Sequence, residues 1–234
     1  MHKVLRKFIT ETLQGAQLRI DDYRSSESGL IDGDSLKAAG YGYLGEGAYR
    51  TVYHIPGHDD KVLKIAQSAP DCKVNKHEAN KKLQAEYPEF IPQIYGAADD
   101  YAWIIVERVR PIGDREFDHV LRVIYPAIDE IPSSHKRRIY PHHLVQNLLE
   151  PPKPKSYVTS IFRELNEIDP NILGNIRKQI TRLETMVNDY FIIPSDIKGG
   201  NVGVRTASAT DGFVLLDVSI FKDTGYLPGR SYNA

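Results

Sequence analysis

The stretch FIIPSDIKGGNVGV, Phe191 to Val204, decides how this chain is read. It packs Asp196, Lys198 and Asn201 into six residues around two glycines, flanked by apolar runs that belong to the edge of a buried core. Together with Asp217, in FVLLDVSIF, these residues supply two carboxylates and an amide oxygen. Such hard oxygen ligands suit Mg²⁺, which keeps waters or phosphates in its remaining positions. One carboxylate can instead orient an attacking hydroxyl or accept its proton. Taken alone, the segment fits a plainer account equally well, in which Asp196 caps a turn that Gly199 and Gly200 shape.

Working outward, Ile172, Ile176, Ile180, Leu183, Val187 and Tyr190 step by three and four, which predicts a long helix burying one face and leading into the stretch. Downstream, FVLLDVSIF predicts a short buried strand interrupted by Asp217. Upstream, residues 111–157 mix the proline run PPKPK, the basic knot HKRR and short apolar groups, and read as helical pieces and loops.

From Tyr41 the texture is different. YLGEGAYRTVYHI, the turn PGHDD and KVLKIA read as strand, glycine turn, strand, hairpin and strand. NKHEANKKLQAEY reads as one charged helix and YAWIIVERV as a buried strand. Gly45 and Gly47 fall in the first turn, where a bare backbone lets N–H groups approach phosphate oxygens, although a lone pair of such glycines is more simply an ordinary hairpin. In VLKIA, alternation places Val62, Lys64 and Ala66 on one face and Leu63 and Ile65 on the other. A lysine among apolar neighbours must reach solvent or meet an anion. Glu78 is the expected partner, with Glu86 and Glu89 also near in sequence. Ahead of this block, Val4, Leu5, Phe8, Ile9 and Leu13 predict an amphipathic helix over 3–18, and RIDDYRSSESGLIDGDS a loop or loosely held connector.

Composition sets the bounds. The 234 residues, 41% hydrophobic, suffice for one large domain or two small lobes. No apolar run approaches the roughly 20 residues of a membrane helix, and MHKVLRKFITETL lacks the apolar core of a secretory signal, so a cytoplasmic protein is expected. The single cysteine, Cys72, excludes an intramolecular disulfide framework and a cysteine-built zinc site. A net charge of −1 gives no drive toward nucleic acid. His142 and His143 lack an evident third metal ligand and are expected to be surface histidines.

The order of these pieces resembles the protein kinase-like superfamily over about Tyr41 to Phe221: glycine turn, strand lysine, helix glutamate, D-x-K-x-x-N after a long helix, and an aspartate among apolar strand residues. The resemblance implies a bilobal α+β fold. Residues 41–109 would form a small β-rich lobe with one charged helix, 110–234 a reduced, mainly helical lobe, and 1–40 an N-terminal helical extension. It further implies that LGEGAYRTV, with Gly45, Gly47 and Val52, is the glycine-rich loop. Lys64 would contact the α/β-phosphates of ATP with Glu78 as its partner, and Glu107 to Val109 would meet adenine. Asp196 would be the catalytic-loop aspartate, Lys198 the lysine typical of serine/threonine kinases, and Asn201 and Asp217 the Mg²⁺ ligands.

Several positions depart from the family pattern. Arg50 replaces the third loop glycine, which implies a loop that closes differently over phosphate or brings an added positive charge to it. Pro194-Ser195 replaces the His-Arg that precedes the catalytic aspartate, so regulation through an activation-loop phosphate is not expected. Asp217-Val218-Ser219 replaces DFG, and only 17 residues follow Asp217. A minimal kinase core, similar to small bacterial or secreted effector kinases, is the expectation, with a host cytosol as the compartment in the effector case. The implied activity is transfer of phosphate from ATP to serine or threonine of a protein substrate or partner. The alternatives are a pseudokinase or docking module and, without specific support, transfer of another group such as AMP.

Overall fold

The structure is a computed structural model and describes residues 20–132, 139–149, 163, 165, 169–205 and 212–216. The chain is mixed α+β and divides into two compact units, Met1–Arg108 and Val109–Ala234. The expected helix over 3–18, the HKRR and PPKPK segments and Asp217 lie outside the described residues.

Unit 1 is built on a five-stranded antiparallel sheet ordered β1-β2-β3-β5-β4. Its strands are β1 (Gly42–Glu46), β2 (Arg50–Ile55), β3 (His58–Ala66), β4 (Ile94–Ala97) and β5 (Trp103–Glu107). Pro56 and Gly57 make the β2–β3 turn, and the φ of +76° at Gly57 is the left-handed conformation that the second central residue of a type II turn requires. Strand β3 therefore starts at His58, inside the stretch expected to be turn. Alternation sends Leu63, Ile65, Trp103 and Ile105 into one core, and Val62, Ile104 and Val106 into another on the opposite face with half-buried Val52.

The expected connector is tied down over residues 20–35 rather than loose. Ile20, Ile31 and Leu36 are buried in the core that holds Trp103. Asp21 accepts a hydrogen bond from Trp103 Nε1 at 3.0 Å, and Arg24 grips both oxygens of Asp100 at 2.8 and 3.0 Å. Helix α1 (Gly33–Ala38) is capped by the Asp32 carboxylate, which accepts from the N–H groups of Asp34 and Ser35. The polar composition that suggested a loop is that of caps and turns around three buried apolar side chains.

The single helix expected over NKHEANKKLQAEY is two, α2 (Cys72–Glu78) and α3 (Lys81–Glu86). Asn80 adopts an extended conformation between them, and its side-chain oxygen accepts from the N–H groups of Lys82 at 2.9 Å and Leu83 at 3.3 Å. An asparagine that caps the next helix ends the previous one. Strand β4 has no counterpart among the expected strands.

Unit 2 contains α4 (Asp114–Ile124), α5 (Pro141–Leu149), α6 (Pro170–Asp189) and a small sheet of β6 (Arg110–Pro111), β7 (Val202–Val204) and β8 (Val214–Leu215). The six residues expected to line the buried face of the long helix segment are all buried: Ile172, Ile176, Ile180, Leu183, Val187 and Tyr190. Helix α6 starts at Pro170 behind Asp169, whose carboxylate accepts from the Asn171 N–H at 2.8 Å. Helix α4 buries Phe117, Val120 and Leu121, and Phe117 meets Phe213 edge-on at 5.0 Å. His143 is exposed, but His142 is not a surface residue: it is buried, and Asp118 Oδ1 lies 2.7 Å from its Nδ1 and accepts its backbone N–H at 2.9 Å. No helix among the described residues is long and apolar enough to cross a membrane.

Candidate functional site

In unit 1, β3 presents Lys64 and α2 presents Glu78, the last residue of that helix. Lys64 Nζ donates to Glu78 Oε1 at 2.6 Å, with the Lys64 side chain 7% and the Glu78 side chain 0% exposed. Glu86 and Glu89, the other acids near in sequence, are not the partners in this pair. The second carboxylate oxygen of Glu78 accepts from Arg50 Nη1, and Arg50 is itself buried. Burial by itself would raise the Glu78 pKa, but the adjacent Arg50 and Lys64 outweigh it and hold the carboxyl below its ordinary value. Arg50, expected to make the loop close differently over phosphate or to bring it an added positive charge, thus donates to Glu78. Nothing in its spacing from Glu78 shows this in the sequence. It shares a face with Val52, which pairs with Lys64 across the sheet, and that register is what brings it to Glu78.

Gly45 lies on β1 after a bulge at Leu44, and Gly47 begins the turn. The turn is closed by the Gly47 N–H donating to Arg50 O at 2.9 Å and held by Gln67 Nε2 donating to Gly47 O at 3.1 Å. A Cβ at Gly45 would meet nothing within 4 Å, so the protein's own packing does not require glycine there. Half-buried Val52 is directly opposite Lys64. Glu107 ends β5. Its N–H donates to Gln93 O at 2.8 Å, its carboxylate accepts from the Gln93 N–H at 3.1 Å, and the next N–H, of Arg108, donates to Asp60 O at 2.8 Å.

In unit 2, buried Val109 opens the segment leading to β6. Asp196 ends a short 3-10 turn, Pro194–Asp196, directly after the loop that leaves α6. Its carbonyl accepts from the Lys198 N–H at 3.0 Å, and the Lys198 carbonyl accepts from the Asn201 N–H at 3.1 Å, so the three polar residues share one tight loop. Asp196 and Asn201 are half-buried, and Lys198 is exposed. The loop is pinned from several directions. Gly199 N–H donates to Asp114 Oδ1 at 2.8 Å, Gly200 N–H to Ile112 O at 2.8 Å, and Gln146 Nε2 to Ile197 O at 3.0 Å.

The glycine pair has two distinct jobs. Gly200 has φ +86°, a conformation other residues rarely adopt. A Cβ at Gly199 would collide with the backbone at Gly113 and Asp114, so glycine there admits the start of α4. Asp114 and Gln146, which hold the loop, carried no signal in the sequence. Leu216, the residue before Asp217, donates its N–H to Asn201 O at 2.8 Å.

Among the described residues no three His, Cys, Asp or Glu side chains converge as a metal site. A depression of about 710 Å³ in unit 1 is bordered by Tyr23, Arg24, Tyr53 and Ile65. Tyr53 and Ile65 belong to the face of the sheet away from Lys64. No family model matches the chain, and no curated protein matches it in sequence.

Proposed function

We propose that this chain is an ATP-dependent phosphotransferase of minimal protein kinase-like architecture, acting on serine or threonine hydroxyls of a protein or of itself. The observation that carries the reading is the buried ion pair of Lys64 with Glu78 at 2.6 Å. Burying an ammonium and a carboxylate costs several kcal/mol in desolvation, and apolar replacements are often as stable, so stability alone is a weak reason for such a pair. A lysine held in one orientation by a fixed carboxylate is, however, what aligning the α/β-phosphates of a nucleotide requires. Gly45, where no internal contact demands glycine, supports the same reading, because a side chain there would stand between backbone N–H groups and phosphate oxygens.

In this mechanism Lys64 orients the nucleotide, and its charge stabilises the phosphate oxygens. The N–H groups of Glu107 and Arg108 are used inside unit 1, by Gln93 O and Asp60 O, and the backbone of Glu107 to Val109 is the part of the chain that would meet adenine. Asp196, on its pinned loop, orients the attacking hydroxyl and takes its proton, and Lys198 offers a second cation two residues on. The amide oxygen of Asn201 and the carboxylate of Asp217 are the donor types Mg²⁺ accepts, and the ion would neutralise phosphate charge when bound. These residues supply only part of its coordination, as expected of an ion that shares its shell with phosphates and waters.

The test uses γ-labelled ATP with the protein alone and with a generic protein substrate, alongside thermal shift with ATP, with and without Mg²⁺. Label on serine or threonine that disappears in Asp196→Ala is the expected result. Label that persists in Asp196→Ala would reject the catalytic assignment. No thermal shift at millimolar ATP would reject nucleotide binding and favour a docking role for the fold.

A further inference from the structure

We propose that Arg50 is a positioning residue that fixes the carboxylate of Glu78, and through it Lys64, so that the phosphate-aligning pair is already formed in the free protein. The inference rests on the phosphotransferase reading for its functional half. Its structural half stands on unit 1 alone.

The sheet register sets up the arrangement. Arg50 pairs with Ala66 and Val52 with Lys64, so Arg50 and Lys64 are diagonal neighbours on one face of adjacent strands. Two buried cations that close would repel. Glu78 reconciles them by giving one oxygen to each, Oε1 to Lys64 and Oε2 to Arg50. A carboxylate gripped at one oxygen can still turn about its last bond, whereas one gripped at both cannot.

Arg50 also bridges adjacent turns of α2, at positions three residues apart. Its Nη1 reaches Asn75 Oδ1 at 3.5 Å as well as Glu78, and positions 75 and 78 share a helix face. Asn75 is fully buried, and its Nδ2 donates to the carbonyl of Tyr101 at 2.9 Å. Tyr101 has φ +61°, so the network ends on a backbone conformation that few side-chain-bearing residues adopt. Helix α2 is thereby tied to β2, to β3 and to the turn before β5. Moving it away would part the buried Glu78 carboxylate from both the cations that hold it, which is costly for a charge out of water. A helix held in this way needs no outside event to bring its glutamate to the lysine. This matches the absence of an arginine before Asp196 to receive an activating phosphate.

The experiment combines three measurements on the full chain. The first is acylation of surface amines in the nucleotide-free wild type, read residue by residue by mass spectrometry. Lys64 should react at least about tenfold more slowly than exposed Lys81, as a buried, paired ammonium does. Equal reactivity overturns the proposal, and this arm needs no variant. The second is amide hydrogen exchange over 72–78. Arg50→Gln should lose about tenfold in protection there, and Arg50→Lys, which keeps the charge but not the two-point grip, should recover part of it.

The third is ATP affinity. It should fall about tenfold in Arg50→Gln, recover in Arg50→Lys, and show no further loss when Arg50→Gln is added to Lys64→Ala, because Arg50 acts through Lys64. Unchanged exchange and affinity in Arg50→Gln overturn the proposal, as does an undiminished loss in the Lys64→Ala background. A wild type that never binds ATP defeats the phosphotransferase reading instead. In that case the exchange and acylation results still decide whether Arg50 holds Glu78 and the helix.

Discussion

Glu78 is the residue whose loss the fold should feel most. With one carboxylate between Lys64 and Arg50, Glu78→Gln leaves two buried cations facing a neutral amide, and about 3–5 kcal/mol of destabilisation is expected from breaking such a network. Lys64→Ala leaves Glu78 still paired with Arg50 and should cost markedly less while abolishing phosphate transfer. Urea unfolding of the two variants checks the asymmetry, and equal losses would mean that Arg50 does not share the carboxylate. The glycines divide in a similar way. Gly45→Ala should leave the unfolding midpoint nearly unchanged and weaken ATP binding, since its new Cβ meets no protein atom within 4 Å. Gly199→Ala should lower the midpoint by displacing the start of α4. At this scale the sequence made Lys64 and its acidic partner legible, because a lysine alternating with apolar strand residues has few ways to be accommodated. The role of Arg50 was not legible, since its contact with Glu78 depends on the β2–β3 register and on where α2 packs.

Among elements, the break between α2 and α3 is a single-residue device. Asn80→Ala removes the acceptor for the N–H groups of Lys82 and Leu83 and should cost about 1 kcal/mol, the usual worth of an N-cap. Asn80→Asp, which keeps an acceptor, should restore most of it, and chemical denaturation of the pair reads the difference. A continuous helix would make alanine neutral or stabilising there. The break was invisible in the sequence because a lone asparagine in a charged, helix-favouring run is compatible with either reading. Helix α6 was legible for the opposite reason: six apolar residues at strict three-and-four spacing admit one periodicity. Strand β4 carries no signal because all four of its residues are half-buried, which erases alternation, and a bulge at Tyr95 interrupts it.

Over the whole molecule, acid should destabilise the chain in two stages. Burial holds His77 below its ordinary value of 6.5, with a smaller opposing effect from Glu78, and its Nε2 is a buried nitrogen without a hydrogen-bond partner. The unfolded chain therefore takes up this proton first, and stability falls as pH drops below about 6.5 until the folded histidine also protonates. Glu78, held below its ordinary 4.5, contributes stability that is complete above that value and is lost as pH falls through its lower folded value. Thermal melts from pH 7.5 down to about 2 should show both stages, and His77→Gln should remove the upper one alone. Retention of the upper stage in His77→Gln would assign it elsewhere.

The motif that draws attention to this chain begins near Tyr41, and a biochemist trimming the protein to its recognisable part would cut there. Such a cut strips Ile20, Ile31 and Leu36 from beneath the sheet and bares Trp103 and Ile105 to water. The shortened chain should bind hydrophobic dyes and aggregate, and any inactivity it shows would say nothing about Lys64 or Asp196. The smallest fragment worth purifying starts no later than Ile20.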